Sequence, residues 1–278
     1  MKRAWLLAAL LLRGFQAAQA AELACKPIEG LDALLKPGAV LLLGEMHGTA
    51  ESPGFTAEAA CAAVKAGRPV TVALELPATD ADRLTAFLAS EGTEKDRAAF
   101  LESPFWQSAY QDGRASRSRL DLLERVRALR RAGHPVKVTF FDVNEYNADR
   151  DRRMAENLKT AVEAAPGDVF LVLVGNIHSR LAKGVPWNAE FEPMGVFFTR
   201  MKPELKVTAL DMAYAPGSAW ICEGAEPSTC QVKALNGKGD ERSTGRVELF
   251  PVRDERGYDG VYQVGPLTAS LPAVRPGS

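Results

Sequence analysis

Apolar and polar positions along the chain alternate between two periods. A continuous apolar run over residues 39–43 is closed by Gly44, and a mostly apolar run over 70–76, interrupted by Thr71 and Glu75, is closed by Pro77. Residues 169–174 form another such run, and 136–142 and 207–210 read as strands with polar residues interspersed. Short apolar runs bounded by glycine or proline read as buried strands. Between them lie stretches of helical period. Residues 55–66 are predicted as a helix after a loop through Ser52, Pro53 and Gly54, and it is stopped by Gly67 and Pro69. Further helices are predicted from a cap at Thr79 or Asp80 to residue 89, and over 93–101, 114–132, 149–165 and 194–201. The third of these carries Leu120, Leu123, Val126 and Leu129 on one stripe. Residues 103–113 read as a loop with aromatic residues. The part after Cys222 reads as a loop followed by a strand over 260–264. Strand and helix in alternation predict an α/β fold: a three-layer sandwich with a mostly parallel, mixed central sheet and helices on both faces.

The first twenty residues stand outside this pattern. Lys2 and Arg3, a short apolar core over 5–12 and Ala18-Gln19-Ala20 form a secretory signal peptide, with cleavage near Ala20. The expectation is an exported chain, periplasmic or secreted, with no transmembrane segment. The remaining residues, about 258, suffice for a single α/β domain over 21–278. They carry 31 basic and 35 acidic residues, a net charge of −4. Mild acidity with scattered charge argues against a nucleic-acid partner. Four cysteines in an oxidising compartment allow three full pairings. Cys25 with Cys61, and Cys222 with Cys230, is one of them.

The chemistry concentrates at strand ends. Val40-Leu41-Leu42-Leu43-Gly44-Glu45-Met46-His47 and Leu171-Val172-Leu173-Val174-Gly175-Asn176-Ile177-His178 share one frame, and the chain has three histidines in all. Open α/β sheets place ligands at the carboxyl ends of their strands. Glu45 and His47, Glu75, Asp142, and Asn176 and His178 occupy four such ends. Imidazoles with a carboxylate can bind a divalent metal, or one imidazole can act as a base oriented by a carboxylate. Glu75, flanked by Leu74 and Leu76, needs a partner: a ligand, or a structural arginine. His134 reads as a solvated turn residue. Arg114 and Arg117 open a helix, with Asp112 as its candidate cap, against the helix dipole; they are either solvated or bind an anionic or carbonyl group. Arg150, Arg153 and Asn157 share a helix face, either solvated or clamping an oxyanion. Glu51 is a further candidate carboxylate.

Several of these segments resemble a known superfamily. Residues 44–51, 72–75, 150–157, 175–178 and 193–195 are similar, in this order, to motifs of the group holding erythromycin-esterase-like proteins, haem-uptake ChaN and the Tiki/TraB metalloproteases. The resemblance implies an α/β sandwich with its site at the sheet edge. His47 and Glu75 would be the core of that site, His178 would complete it, and Arg153 and Asn157 would be polar supports. It also implies a hydrolase of ester, amide or peptide bonds acting on a small molecule or peptide. Manganese, cobalt or zinc would be held by His47, Glu75 and His178 if a metal is used. A haem- or ligand-binding protein is the alternative.

Overall fold

The computed structural model describes residues 23–143, 147–237 and 239–274. The leader read at residues 1–20 lies outside them. Nine strands are described: β1 (Val40–Glu45), β2 (Val70–Pro77), β3 (Val136–Asp142), β4 (Val169–Gly175), β5 (Val207–Ala215), β6 (Gly217–Cys222), β7 (Cys230–Leu235), β8 (Thr244–Leu249) and β9 (Gly260–Pro266). The helices are α1 (Glu51–Lys65), α2 (Ala81–Ala89), α3 (Glu94–Leu101), α4 (Arg117–Arg131), α5 (Arg150–Ala164) and α6 (Met194–Met201).

The central sheet runs β3-β2-β4-β1-β5-β9-β8, and β6 with β7 forms a separate hairpin. All pairs of the central sheet are parallel except β8 with β9. This is the predicted mixed, mostly parallel sheet. Alternate residues of β1 serve different cores. Leu41 and Leu43 pack with α1 to α4, while Val40 and Leu42 pack with α5 and α6. Both faces are therefore covered, which is why these strands read as unbroken apolar runs.

The route of the chain explains where the strand ends meet. From β1 to β2 to β3 it moves toward one edge, with α1 to α4 on one face. From β3 to β4 to β5 it moves back, with α5 and α6 on the other face. Right-handed crossovers require opposite faces for opposite directions of travel. β4 lies between β1 and β2 but sends its connection to the other face. The connections diverge beside its carboxyl end and leave a crevice there.

Three local expectations are corrected. Residues 52–54 are not a loop; they lie in the first turn of α1, where Pro53 loses no intrahelical bond. The helix expected from residue 114 begins at Arg117, with Ser116 at the N-cap position. Arg114 is thus in a buried loop, and Asp112 pairs with it rather than capping a helix. The tail after residue 215 holds β6, β7 and β8 as well as the expected β9. The first two form a partly exposed hairpin, and β8 is an edge strand with a single buried residue. Such strands lack the apolar run that marks a buried one. His134 sits, half-buried, in the turn between α4 and β3.

Cys25 is bonded to Cys61 on α1, and Cys222 to Cys230 across the hairpin. No helix among the described residues is long and apolar enough to cross a membrane.

Candidate functional site

The strand register brings the two Gly-x-x-His frames side by side. β1 pairs with β4 so that Gly44 faces Val174 and Glu45 faces Gly175. Past these ends the chain turns, and both imidazoles rise over Gly175. A Cβ on Gly175 would lie 3.1 Å from Nε2 of His47, 3.4 Å from Oε2 of Glu75 and 3.4 Å from Cδ2 of His178. Glycine is what lets these three side chains converge.

His47 is held between two carboxylates. Its Nδ1 is 2.9 Å from Oε1 of Glu45, and its Nε2 is 3.5 Å from Oε2 of Glu75. Glu45 is itself anchored by the guanidinium of Arg119, which is 1% exposed within the apolar stripe of α4. Glu75 accepts the Gly175 N–H at 2.7 Å on Oε2 and Nη2 of Arg150 at 2.7 Å on Oε1. Burial works against charge on His47, but the negative charges of Glu75 and Glu45 outweigh it and raise the imidazole to about 9. Burial likewise opposes charge on the carboxylates. For Glu75 the His47 charge, with Arg150 behind it, prevails and holds the group well below the usual carboxylate range. For Glu45 the charges of Arg119 and His47 prevail, and its pKa is lowered too.

A second layer of charge lies behind Glu75. Asp142, 1% exposed at the end of β3, accepts Nε of Arg150 at 3.0 Å and Nη2 at 2.8 Å, and it also binds Nη1 of Arg114. Arg114 donates to Asp112 through Nε at 3.0 Å and Nη2 at 2.7 Å. From the sequence, Arg114 and Arg150 are either solvated or receive an anionic or carbonyl group. In the fold these guanidiniums are committed to Asp112, Asp142 and Glu75, and they hold carboxylates that would otherwise be costly to bury.

His178 is placed at the site, but its ring is occupied. Nδ1 lies 2.7 Å from Oδ1 of Asp151, and Nε2 lies 3.1 Å from Nη1 of Arg150. An arginine can only donate, so Nε2 accepts and Nδ1 carries the proton. Asp151 also accepts the Met194 N–H at 2.8 Å, tying the ring to the start of α6. Neither ring nitrogen is left for an oxyanion or a metal.

The metal reading therefore does not fit. Nε2 of His178 faces a guanidinium, the Nδ1 of His47 is bonded to Glu45, and Glu75 already binds Arg150 and Gly175. Among the described residues no three His, Cys, Asp or Glu side chains are disposed to share an ion. Haem would have to use Nε2 of His47, because both ring nitrogens of His178 are engaged and an axial imidazole needs a free ring nitrogen.

Other expected residues fall elsewhere. Glu51, at the first turn of α1, accepts the Thr268 N–H at 3.0 Å and lines a different cavity. Arg117 has a side chain 64% exposed and lies 3.7 Å from Asp121, its ion-pair partner among the described residues. Asn157 donates to the Phe141 carbonyl at 3.0 Å and straps α5 to β3. Arg153 is half-buried on the same helix. Asn176 lines the site cavity, and its carbonyl accepts the hydroxyl of Tyr258. Asp112, Arg119 and Asp151 were missed. Arg119 had a signal: it shares the helical stripe of Leu122, Leu123 and Val126, where a charge must find a buried partner.

The site opens into a cavity of about 310 Å³, walled by Glu45, His47, Asp112, Asn176, His178 and Trp220, among others. Trp220 comes from the β6–β7 hairpin and is fixed by a 2.7 Å bond from its Nε1 to the Gln111 carbonyl. At Gly48, where φ is +75°, the backbone passes so close to the Trp220 carbonyl that a side chain would collide with it.

No protein-family model and no curated protein sequence matches the chain. Solved structures do. A mutant of erythromycin esterase EreC in its open conformation aligns over 88% of this chain and 95% of that one, with 13% identity and a TM-score of 0.62. A succinoglycan biosynthesis protein aligns over 86% and 91%, with 10% identity and a TM-score of 0.62. ChaN of Campylobacter jejuni, solved with cofacial heme, aligns over 74% and 91%, with 15% identity and a TM-score of 0.45. The chain thus has the fold of the erythromycin-esterase-like structures, and at these identities the likeness concerns the fold alone.

Proposed function

We propose that this chain is an exported hydrolase of an ester, amide or peptide bond in a small molecule or peptide, with His47 as its proton-transfer group. The observation that carries the reading is the clamp on His47. Glu45, anchored by Arg119, holds Nδ1 in the protonated tautomer, which leaves Nε2 toward Glu75. A histidine oriented by a carboxylate, in a side chain that lines a cavity, is the arrangement of a general base. The fold of an esterase and the adjoining cavity of about 310 Å³ are consistent with it. The two disulfides accord with an oxidising compartment, and hence with export.

In the proposed reaction the substrate carbonyl enters this cavity. Unprotonated Nε2 of His47 takes a proton from water as the water oxygen bonds to the carbonyl carbon. The resulting imidazolium is stabilised by Glu45 and Glu75. His47 then returns the proton to the leaving oxygen or nitrogen as the acyl bond breaks. His178, set by Asp151, keeps Arg150 aimed at Glu75.

The test is hydrolysis of a panel of p-nitrophenyl esters, lactones and peptide amides by the purified chain. His47→Ala should lower kcat/KM by about a hundredfold or more. No turnover across the panel, or full activity in His47→Ala, would overturn the reading. Haem titration addresses the ligand-binding alternative. With both ring nitrogens of His178 engaged, a histidine-dependent Soret shift would have to come from His47, and a stoichiometric one lost in His47→Ala would favour that alternative.

A further inference from the structure

Two buried phenols end on the two Gly-x-x-His frames. Tyr258 lies just before β9 and Tyr262 within it, and both are fully buried. Tyr262 packs on the face of the sheet covered by α1 to α4, and Tyr258 on the face covered by α5 and α6. The hydroxyl of Tyr262 donates to the Gly44 carbonyl at 2.9 Å, and that of Tyr258 donates to the Asn176 carbonyl. A carbonyl only accepts, so the direction of both bonds is fixed. Burial pushes both phenols up, so each keeps the proton that it donates.

Each phenol has a buried serine beside it. Oγ of Ser52 lies 2.9 Å from the Tyr262 hydroxyl. Oγ of Ser179 lies 3.1 Å from the Tyr258 hydroxyl and donates to the same Asn176 carbonyl at 3.2 Å. Packing alone does not call for these hydroxyls. A phenylalanine would fill nearly the same space with less polar surface to desolvate. Their use lies in what they hold.

What they hold is the backbone that carries the histidines. The pairing of β1 with β5 ends at Gly44, and the next residue, Glu45, orients Nδ1 of His47 at 2.9 Å. Asn176 opens the turn that presents His178, and its N–H donates to the Glu45 carbonyl at 3.0 Å. In the order β4-β1-β5-β9-β8, β9 pairs with neither β1 nor β4. The two hydroxyls are therefore side-chain ties from β9 to strand ends that it does not reach through the sheet.

We propose that Tyr262 and Tyr258 are positioning residues, each fastening one histidine frame: Tyr262 that of Glu45 and His47, and Tyr258 that of Asn176 and His178. The effect on turnover rests on the hydrolase reading. The effect on the imidazoles does not.

The test uses the full mature chain with isotope-labelled histidine, and nuclear magnetic resonance of the imidazole nitrogens. The chain has three histidines, so three sets of signals are read. Tyr262→Phe should move the nitrogen signals of His47 and leave those of His178 in place. Tyr258→Phe should do the reverse. His134, in the turn between α4 and β3, is the internal reference and should stay fixed in both. If His47 drives hydrolysis, Tyr262→Phe should lower kcat about tenfold with KM changed less than about twofold. Equal movement of His47 and His178 in both variants, or movement of neither, would overturn the proposal and leave the phenols as packing. If a tyrosine variant fails to fold, Ser52→Ala and Ser179→Ala decide in the same way. They keep both rings, and should give the same division with smaller shifts. Divided signals without any turnover would sink the hydrolase reading alone. His47-dependent hydrolysis with undivided signals would sink the fastening alone.

Discussion

Nε2 of His47 stands 3.5 Å from Oε2 of Glu75, an oxygen that already accepts the Gly175 N–H at 2.7 Å. Glu75 is therefore held at a fixed place by the backbone of β4, and the position of His47 is measured against it. The distance is too long for a good direct hydrogen bond. It suits two opposite charges that attract across a gap too narrow to admit another atom.

Gly175 sets that gap. Gly175→Ala would put a methyl 3.1 Å from Nε2 of His47. Overpacking of this kind costs about 1–3 kcal/mol of stability, and an ångström of displacement at a reacting group costs about a hundredfold in rate. The expected outcome is a folded variant with kcat/KM lowered about a hundredfold. Circular dichroism and steady-state kinetics on one preparation check it.

The protonation of His47 fixes the sign of two pH effects. A general base works unprotonated, so hydrolysis should climb with pH along a limb centred near pH 9. Stability should move the other way. The imidazolium is favoured in the folded state, with a pKa of about 9 against about 6.5 when unfolded. Its contribution is complete below about pH 6.5 and is lost as pH rises through about 9. Thermal unfolding of the wild type and of His47→Asn across this range should converge at the alkaline end. A falling pH–rate profile over the same range would instead make His47 an acid.

Arg150 carries the buried charge balance. It donates to Glu75 and Asp142, each 1% exposed, and to His178. Arg150→Met would leave Asp142 to Arg114 and Glu75 to the Gly175 N–H and His47, each short of one charged partner, and removing one partner of a buried ion pair costs about 3–5 kcal/mol. Arg150→Lys keeps the charge but not the planar fork, and should lose less stability while still losing the His178 contact. Urea unfolding of both variants reads this order.

The two disulfides should separate stability from activity. Cys25–Cys61 spans 36 residues and Cys222–Cys230 spans 8. Loop-closure entropy gives about 4 kcal/mol for the longer span and about 2.5 kcal/mol for the shorter. Replacing Cys25 and Cys61 by serine should therefore cost more stability. Replacing Cys222 and Cys230 should cost more activity, because Cys222 and Trp220 wall the site cavity. Denaturant midpoints and kcat/KM for the two double variants check both halves.

The strand ends were legible because their residues obey local rules. An unbroken apolar run closed by glycine reads as a buried strand, and parallel strands deliver their ends to one edge. Glu75 announced itself as a carboxylate in an apolar frame. Arg114 and Arg150 could be marked but not assigned, because a guanidinium beside a crevice reads the same whether it awaits a ligand or holds a buried carboxylate. Asp151 could not be separated from the charged face of α5. Its importance depends on the approach of His178 from β4. The hairpin of β6 and β7 escaped because its strands are partly exposed and carry no continuous apolar signal.

The sequence by itself determined the layered α/β architecture, the echo of Gly44-Glu45-Met46-His47 in Gly175-Asn176-Ile177-His178, and the presence of acidic residues at neighbouring strand ends. Those follow from hydrophobic period and backbone preference, which act over a few residues. Only the tertiary structure decided that the histidines are not equivalent. His47 lies between two carboxylates and carries a proton, whereas His178 is closed on one side by Asp151 and on the other by Arg150. The strand order β2-β4-β1 and the switch of crossover faces set those partners. The charge on a buried imidazole depends on which groups the fold brings within a few ångströms, and no local pattern records that.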